Sequence, residues 1–291
     1  MALNPKFIFF GTPLFAVRVL SRLVSRGYLP LAVVTNPDRP MGRKQIITPS
    51  AVKMFIKDLP ANEEVRVLSP EKLDEIFIKS LKELKPDLFM VAAYGQIIPR
   101  EVLAVPPLGV IGVHPSLLPK YRGASPIQSV LLAGEHETGV SLYMLDEKMD
   151  AGPVIAQKNV LIQLDETYET LSEKLANAGG ELLLKIMPDL ESAKTNAETQ
   201  DEARATYTKK FKTEDAYVEP GNLRDAQNGV SGKNKAAEIY RKIQALNLEP
   251  GVWTMQNGKR VKLLKARLDD DKLKLTITQT EGKKPQIINE S

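Results

Sequence analysis

The sequence predicts an α/β protein built on a parallel sheet, with a smaller β-rich unit behind it. Three observations carry this. The chain opens strand–helix–strand. Short apolar runs then recur with helical stretches between them, the pattern of parallel strands joined by crossovers. The last third changes to short strands separated by tight-turn residues. At 291 residues, two domains are expected.

Phe7–Phe10 is the first apolar strand. Thr12 is placed to cap the helix that follows, and Pro13 suits its first turn. Val17, Leu20 and Val24 fall on one helical face, and Gly27 stops the helix. Leu31–Thr35 is the next strand. This opening resembles half of a Rossmann fold, although no GxGxxG dinucleotide fingerprint follows the first strand. Leu88–Ala93, Val110–His114, Val140–Leu145 and Val154–Ile162 are further strands, the last exposed on one face. Leu68–Leu84 and Leu171–Met187 read as helices.

Leu190–Tyr207 is polar and alanine-rich without a clean apolar period, which reads as a linker or a loosely packed helix. Beyond it Ala236, Ile239, Ile243 and Leu246 share one face of a helix over Lys235–Leu246. Gly251–Met255, Arg260–Leu268, Lys272–Thr278 and Pro285–Ile288 follow as strands. Turns at Asn257-Gly258 and Asp269–Asp271 make a small β-barrel or sheet the expected form. The expected boundaries are 1–189, a linker at 190–208, and 209–291.

Composition narrows the chemistry. Hydrophobic residues are 43% and charged residues 26%, enough apolar material for a sizeable core. With no cysteine, disulfides, thiolate nucleophiles, Cys-ligated zinc and iron–sulfur clusters are excluded. His114 and His136 are the only histidines, so no metal centre is expected and any imidazole chemistry uses one of them. MALNPKFIFFGTP reads as a strand and not as a leader, and no apolar run approaches membrane-spanning length. A cytoplasmic protein is expected. The net charge of +4 is unevenly placed: residues 209–291 carry 17 Lys/Arg against 11 Asp/Glu. A basic tail points toward a polyanion.

In open α/β sheets, ligands bind beyond the carboxyl ends of the strands. His114 ends one strand. Pro115–Gly123 follows it, rich in donors. Asp150 lies in Met149-Asp150-Ala151-Gly152-Pro153, between two later strands. A carboxylate beside a histidine fixes its tautomer and stabilises imidazolium. A lone histidine at a strand end is more often structural, and the spacing does not prove that the two residues touch.

Several segments together resemble the folate-dependent formyltransferases, most closely those acting on methionyl-tRNA. They are Gly11–Ala16, Asn36-Pro37-Asp38-Arg39-Pro40-Met41-Gly42-Arg43 through Thr48-Pro49-Ser50, and Pro86-Asp87 with Ala93–Pro99. His114 with Ser116-Leu117-Leu118-Pro119 and Arg122-Gly123 is the centre of the pattern, and Glu137–Val140 and Met149–Pro153 complete it. Ala245-Leu246-Asn247, Pro250–Thr254, Gly258-Lys259-Arg260 and Glu281–Pro285 resemble the C-terminal domain of the tRNA-directed members.

The resemblance implies a Rossmann-like formyltransferase domain followed by an OB-like β-barrel. It implies formyl transfer from 10-formyltetrahydrofolate, as co-substrate, to the α-amine of initiator methionyl-tRNA. His114 and Asp150 would be catalytic. The family pattern has Asn two residues before the histidine; here that position is Gly112. A missing oxyanion donor typically costs about a hundred- to a thousandfold in turnover. Impaired turnover is therefore expected, as is a gain of that order from Gly112→Asn, unless a donor such as Gln96 compensates.

Folate is expected at Ser116, Leu117, Leu118 and Pro119 and at Tyr94, Gly95, Gln96 and Ile97. tRNA is expected at Arg39, Arg43 and Lys44 of the basic loop and at Arg260 and Lys262 of the barrel. Trp253 reads as core and not as a base-stacking platform. The expected working form is a monomer. Two other readings stay open: a catalytically silent folate- and tRNA-binding protein, and a formyltransferase acting on a small amine such as an amino-sugar nucleotide.

Overall fold

The computed structural model describes residues 5–42, 44–60, 64–230 and 233–288, without the side chains of Lys233 and Asn234. The strands, in chain order, are β1 Phe7–Gly11, β2 Ala32–Val34, β3 Arg39–Met41, β4 Ile46–Thr48, β5 Arg66–Leu68, β6 Leu88–Ala92, β7 Val110–His114, β8 Arg122–Gly123, β9 Glu137–Met144, β10 Val154–Leu161, β11 Tyr207–Thr208, β12 Trp253–Gln256, β13 Lys259–Asp269, β14 Lys272–Thr280 and β15 Gln286–Ile287. The helices are α1 Leu14–Val24, α2 Ala51–Lys57, α3 Glu75–Glu83, α4 Arg100–Leu103, α5 Pro126–Ala133, α6 Tyr168–Ile186, α7 Leu190–Thr195, α8 Pro220–Asn228 and α9 Lys233–Leu246.

The chain forms two compact units. One is drawn from Met1–Arg122, Thr138–Val160 and Ser172–Tyr207, the other from Gly123–Glu137, Leu161–Leu171 and Thr208–Ser291.

The first unit holds the expected α/β architecture. Its seven-stranded sheet has the order β10-β9-β7-β6-β1-β2-β5. β1 runs parallel to β2 and β6, and β6 parallel to β7, whereas β9 joins β7 antiparallel. β1 is buried along its whole length, which is why it reads as a continuous apolar run instead of an alternating one. Phe10 and Phe89 meet across β1 and β6 with ring centroids 5.1 Å apart. Burying such side chains stabilises the sheet by about 1.5–3 kcal/mol each. His114, at the end of β7, is thereby anchored on a rigid core strand.

Two local expectations are corrected. The helix expected over Leu68–Leu84 starts only at Glu75. Leu68 ends β5 paired with Val34, and the Asp74 carboxylate accepts from Phe77 N–H to cap the helix. Thr12 does not cap α1; its hydroxyl donates to the Tyr94 carbonyl instead. Leu190–Tyr207 carries α7, and within it Gln200 accepts from Arg122 of β8.

In the second unit β12, β13, β14 and β15 form an antiparallel sheet, in that order. β15 contributes only two residues, and among the described residues it pairs with β14 alone. α9 packs on β13 and β14 and against α5. Alternation along β13 buries Val261 and Leu263 and exposes Lys262.

Candidate active site

The antiparallel register of β7 and β9 sets Gly112 opposite Tyr143 and His114 opposite Ser141. Residues two apart on a strand share a face, so Gly112, His114 and Tyr143 project to one side. Asp150 follows β9 in a turn whose backbone there is left-handed, φ 51°.

This turn brings Asp150 to His114. The carboxylate Oδ2 lies 3.6 Å from His114 Nδ1, and both side chains are largely buried. His114 Nε2 is 2.9 Å from the Tyr121 carbonyl oxygen. A carbonyl only accepts, so Nε2 carries the hydrogen of that bond. Nδ1 is then the ring atom that faces the carboxylate. The other Asp150 oxygen, Oδ1, accepts a 2.6 Å hydrogen bond from the Tyr143 hydroxyl. Burial above all holds the Tyr143 phenol well above its usual pKa, and the negative charge of Asp150 adds to this. Tyr143 is therefore a donor.

Gly112 does not leave a hole. A Cβ there would stand 2.4 Å from Tyr143 Cε1 and 2.6 Å from Cζ. The phenol ring fills the space beside Gly112.

A second layer holds the Asp150 turn. Gln200 Nε2 donates to the Asp150 carbonyl at 2.9 Å and to the Gly152 carbonyl at 2.7 Å. Its oxygen accepts from Nε and Nη2 of Arg122, which is 1% exposed. Glu202 and Tyr207 take further Arg122 donors. Gln200 lies in the stretch that reads as linker, and its sequence neighbourhood carries no signal of this role. Tyr143 was also missed, because it reads as one more apolar residue of a strand.

The residues expected to hold folate fall into two groups. Ser116 and Leu118 are buried, Leu117 and Pro119 half-buried. Ser141 ties this loop down: its hydroxyl accepts from Leu118 N–H and donates to the Ser116 carbonyl. Gln157 Nε2 donates to the Leu118 carbonyl at 2.9 Å. Tyr94, Gly95, Gln96 and Ile97 follow β6. Thr12 and Asn36 both donate to the Tyr94 carbonyl, and Gln96 Nε2 donates to Asn36 Oδ1 at 2.7 Å. Burial raises the Tyr94 phenol to about 12, and its hydroxyl has no hydrogen-bond partner among the described residues. Ile97 is 91% exposed, an apolar side chain presented at the carboxyl edge of the sheet.

The basic candidates divide differently. Arg39 pairs with Glu71 on the surface at 2.8 Å, and Lys44 is exposed. Arg43 lies outside the described residues. In the second unit, Arg260 stacks its guanidinium 4.2 Å from the Trp253 ring centroid, while Lys262 is exposed. Trp253 also donates from Nε1 to the Thr213 carbonyl at 2.9 Å and packs on Tyr217.

The sequence pattern of the formyl transferase family matches residues 5–187, and that of the formyl transferase C-terminal domain matches residues 222–289. The chain belongs to the formyl transferase family. A relative from Dictyoglomus thermophilum, named methionyl-tRNA formyltransferase, is 38% identical over 286 residues, covering 96% of this chain and 86% of its own. Among solved structures, HypX from Aquifex aeolicus in complex with tetrahydrofolic acid superposes with a TM-score of 0.64 at 16% identity. That match covers 97% of this chain but only 45% of the larger HypX. The N-formyltransferase from Helicobacter canadensis, in complex with folinic acid and dTDP-3-aminofucose, gives a TM-score of 0.61 at 21% identity, covering 91% and 88%. At these identities the two structures establish a shared fold. No helix among the described residues is long and apolar enough to cross a membrane.

Proposed function

We propose that this formyl transferase moves a formyl group from 10-formyltetrahydrofolate to the α-amine of methionine on initiator tRNA. The similarity to the tRNA-directed relative over nearly the whole chain carries the reading. The His114–Asp150 pair supports it, because it lies where an open α/β sheet presents its ligands.

The neutral amine attacks the formyl carbon and a carbon–nitrogen bond forms. Negative charge collects on the former carbonyl oxygen, which needs preorganised donors. The bond from carbon to the folate nitrogen then breaks. That nitrogen takes the electron pair and a proton, while the attacking amine loses one. His114 is the group for this proton traffic. The Asp150 carboxylate, facing Nδ1, stabilises the imidazolium formed when His114 takes a proton.

In this reading Ser116–Pro119 and Tyr94–Ile97 hold the folate, and residues 1–189 act as the catalytic domain. Residues 190–208 connect it to a tRNA-binding domain at 209–291. The surplus of basic residues there suits a phosphate backbone. Arg39, Arg43, Lys44, Arg260 and Lys262 are the proposed tRNA contacts, and a cytoplasmic monomer is the proposed working form. Formylation of methionyl-tRNA with saturating 10-formyltetrahydrofolate tests the reading. Product is expected from the full chain, and removing residues 209–291 should raise KM for tRNA at least tenfold. Formylation of a small amine, with tRNA inert, would overturn it.

A further inference from the structure

We infer that Tyr143, Asp150 and His114 act as one unit, with Tyr143 as a positioning residue that works through Asp150. This rests on the formyl-transfer reading above.

Tyr143 is the direct cross-strand partner of Gly112. An aromatic ring that folds over a glycine on the neighbouring strand covers backbone that would otherwise be bare. Packing alone would be served by phenylalanine. The hydroxyl does something more specific. It donates to Asp150 Oδ1 at 2.6 Å, in the short range of hydrogen bonds to an ionised acceptor. One carboxylate oxygen is thereby taken, and the carboxylate plane is set. Oδ2 is left facing His114 Nδ1. The Tyr143 and His114 rings stand edge-on, 88° apart with centroids 6.4 Å apart. Phenol, carboxylate and imidazole thus form a continuous chain from β9 through the Asp150 turn to β7.

The glycine belongs to this arrangement. Cε1 and Cζ of Tyr143 occupy the space of any side chain at 112, and Leu145 Cδ1 crowds it further at 2.9 Å. Gly112 and Tyr143 are therefore a matched pair.

Tyr143→Phe keeps the ring and removes only the hydroxyl. We expect kcat to fall ten- to a hundredfold, with KM for folate and tRNA within about twofold of the parent. Leucine ends at its δ carbons, short of the atoms that block position 112. Gly112→Asn is accordingly expected to impair turnover alone, and less so when combined with Tyr143→Leu. The imidazole NMR signals supply a readout free of substrate. His114 and His136 are the only histidines, so Tyr143→Phe should move the signals of His114 and leave those of His136 in place. A Tyr143→Phe protein with parental kcat and an unmoved His114 signal overturns the trio. If the parent chain forms no formylmethionyl-tRNA, the functional reading fails instead, and the His114 signal still decides whether Tyr143 acts on it through Asp150.

Discussion

The Arg122 guanidinium donates to Gln200 Oε1 twice, from Nε at 3.1 Å and from Nη2 at 2.9 Å. Gln200 passes that constraint on to the carbonyls of Asp150 and Gly152. A buried cation next to the Asp150 turn is thus neutralised and put to use as a brace. Gln200→Ala leaves Arg122 short of acceptors and frees the turn. Losing acceptors of a buried charged group costs about 2–4 kcal/mol. Denaturant unfolding should show that loss, and kcat should fall at least tenfold while tRNA affinity is kept.

Glu202 gives the same anchor a pH dependence. Its hydrogen bond to Arg122 holds its carboxyl below the ordinary 4.5. The sign follows from linkage: a folded-state value below the unfolded one stabilises above the unfolded value and is lost as pH falls through the folded one. Stability should therefore drop on acidification below about 4.5. Glu202→Gln should flatten the acid limb of a Tm-against-pH curve, modestly, because the carboxylate is exposed.

Gly112→Asn should lower the Tm of this protein. The new Cβ meets the Tyr143 ring inside contact distance, and forced repacking of a filled core site costs about 1–3 kcal/mol. Calorimetry of the single variant and of its combination with Tyr143→Leu checks this. The two changes should be far from additive, because the residues share one space.

Asn36 is expected to act on folate binding alone. It donates to the Tyr94 carbonyl at 3.1 Å and accepts from Gln96 at 2.7 Å, pinning two residues of the proposed folate loop. Asn36→Ala should raise KM for 10-formyltetrahydrofolate about tenfold with kcat within twofold, the mark of lost uniform binding. An unchanged KM would remove Tyr94–Ile97 from the folate site.

On the second unit, Lys262 and Arg260 should behave differently. Lys262 is exposed, so Lys262→Ala should weaken tRNA binding and reduce the salt slope of binding by roughly one counterion. Arg260 is stacked on Trp253, so Arg260→Ala should also lower the Tm. Titrations of tRNA at several salt concentrations, beside thermal melts, separate the two effects.

Much of this was legible in one dimension. Continuous apolar runs such as Phe7–Phe10 and Val110–Val113 announce buried parallel-sheet strands, because every side chain of such a strand is covered. His114 and Asp150 stand out through the family resemblance of the segments that carry them. Linear sequence therefore determined the fold class and the family, and singled out His114 and Asp150 as candidates. Only the tertiary structure decided what surrounds them. Gly112 and Tyr143 are thirty-one positions apart, and it is strand register that puts one ring over the other's Cα. Gln200 is fifty positions from Asp150 and lies in a stretch with no apolar period. Hydrophobic periodicity reports burial of a face; it carries no information about which buried polar groups satisfy one another, because those partners are chosen across the fold.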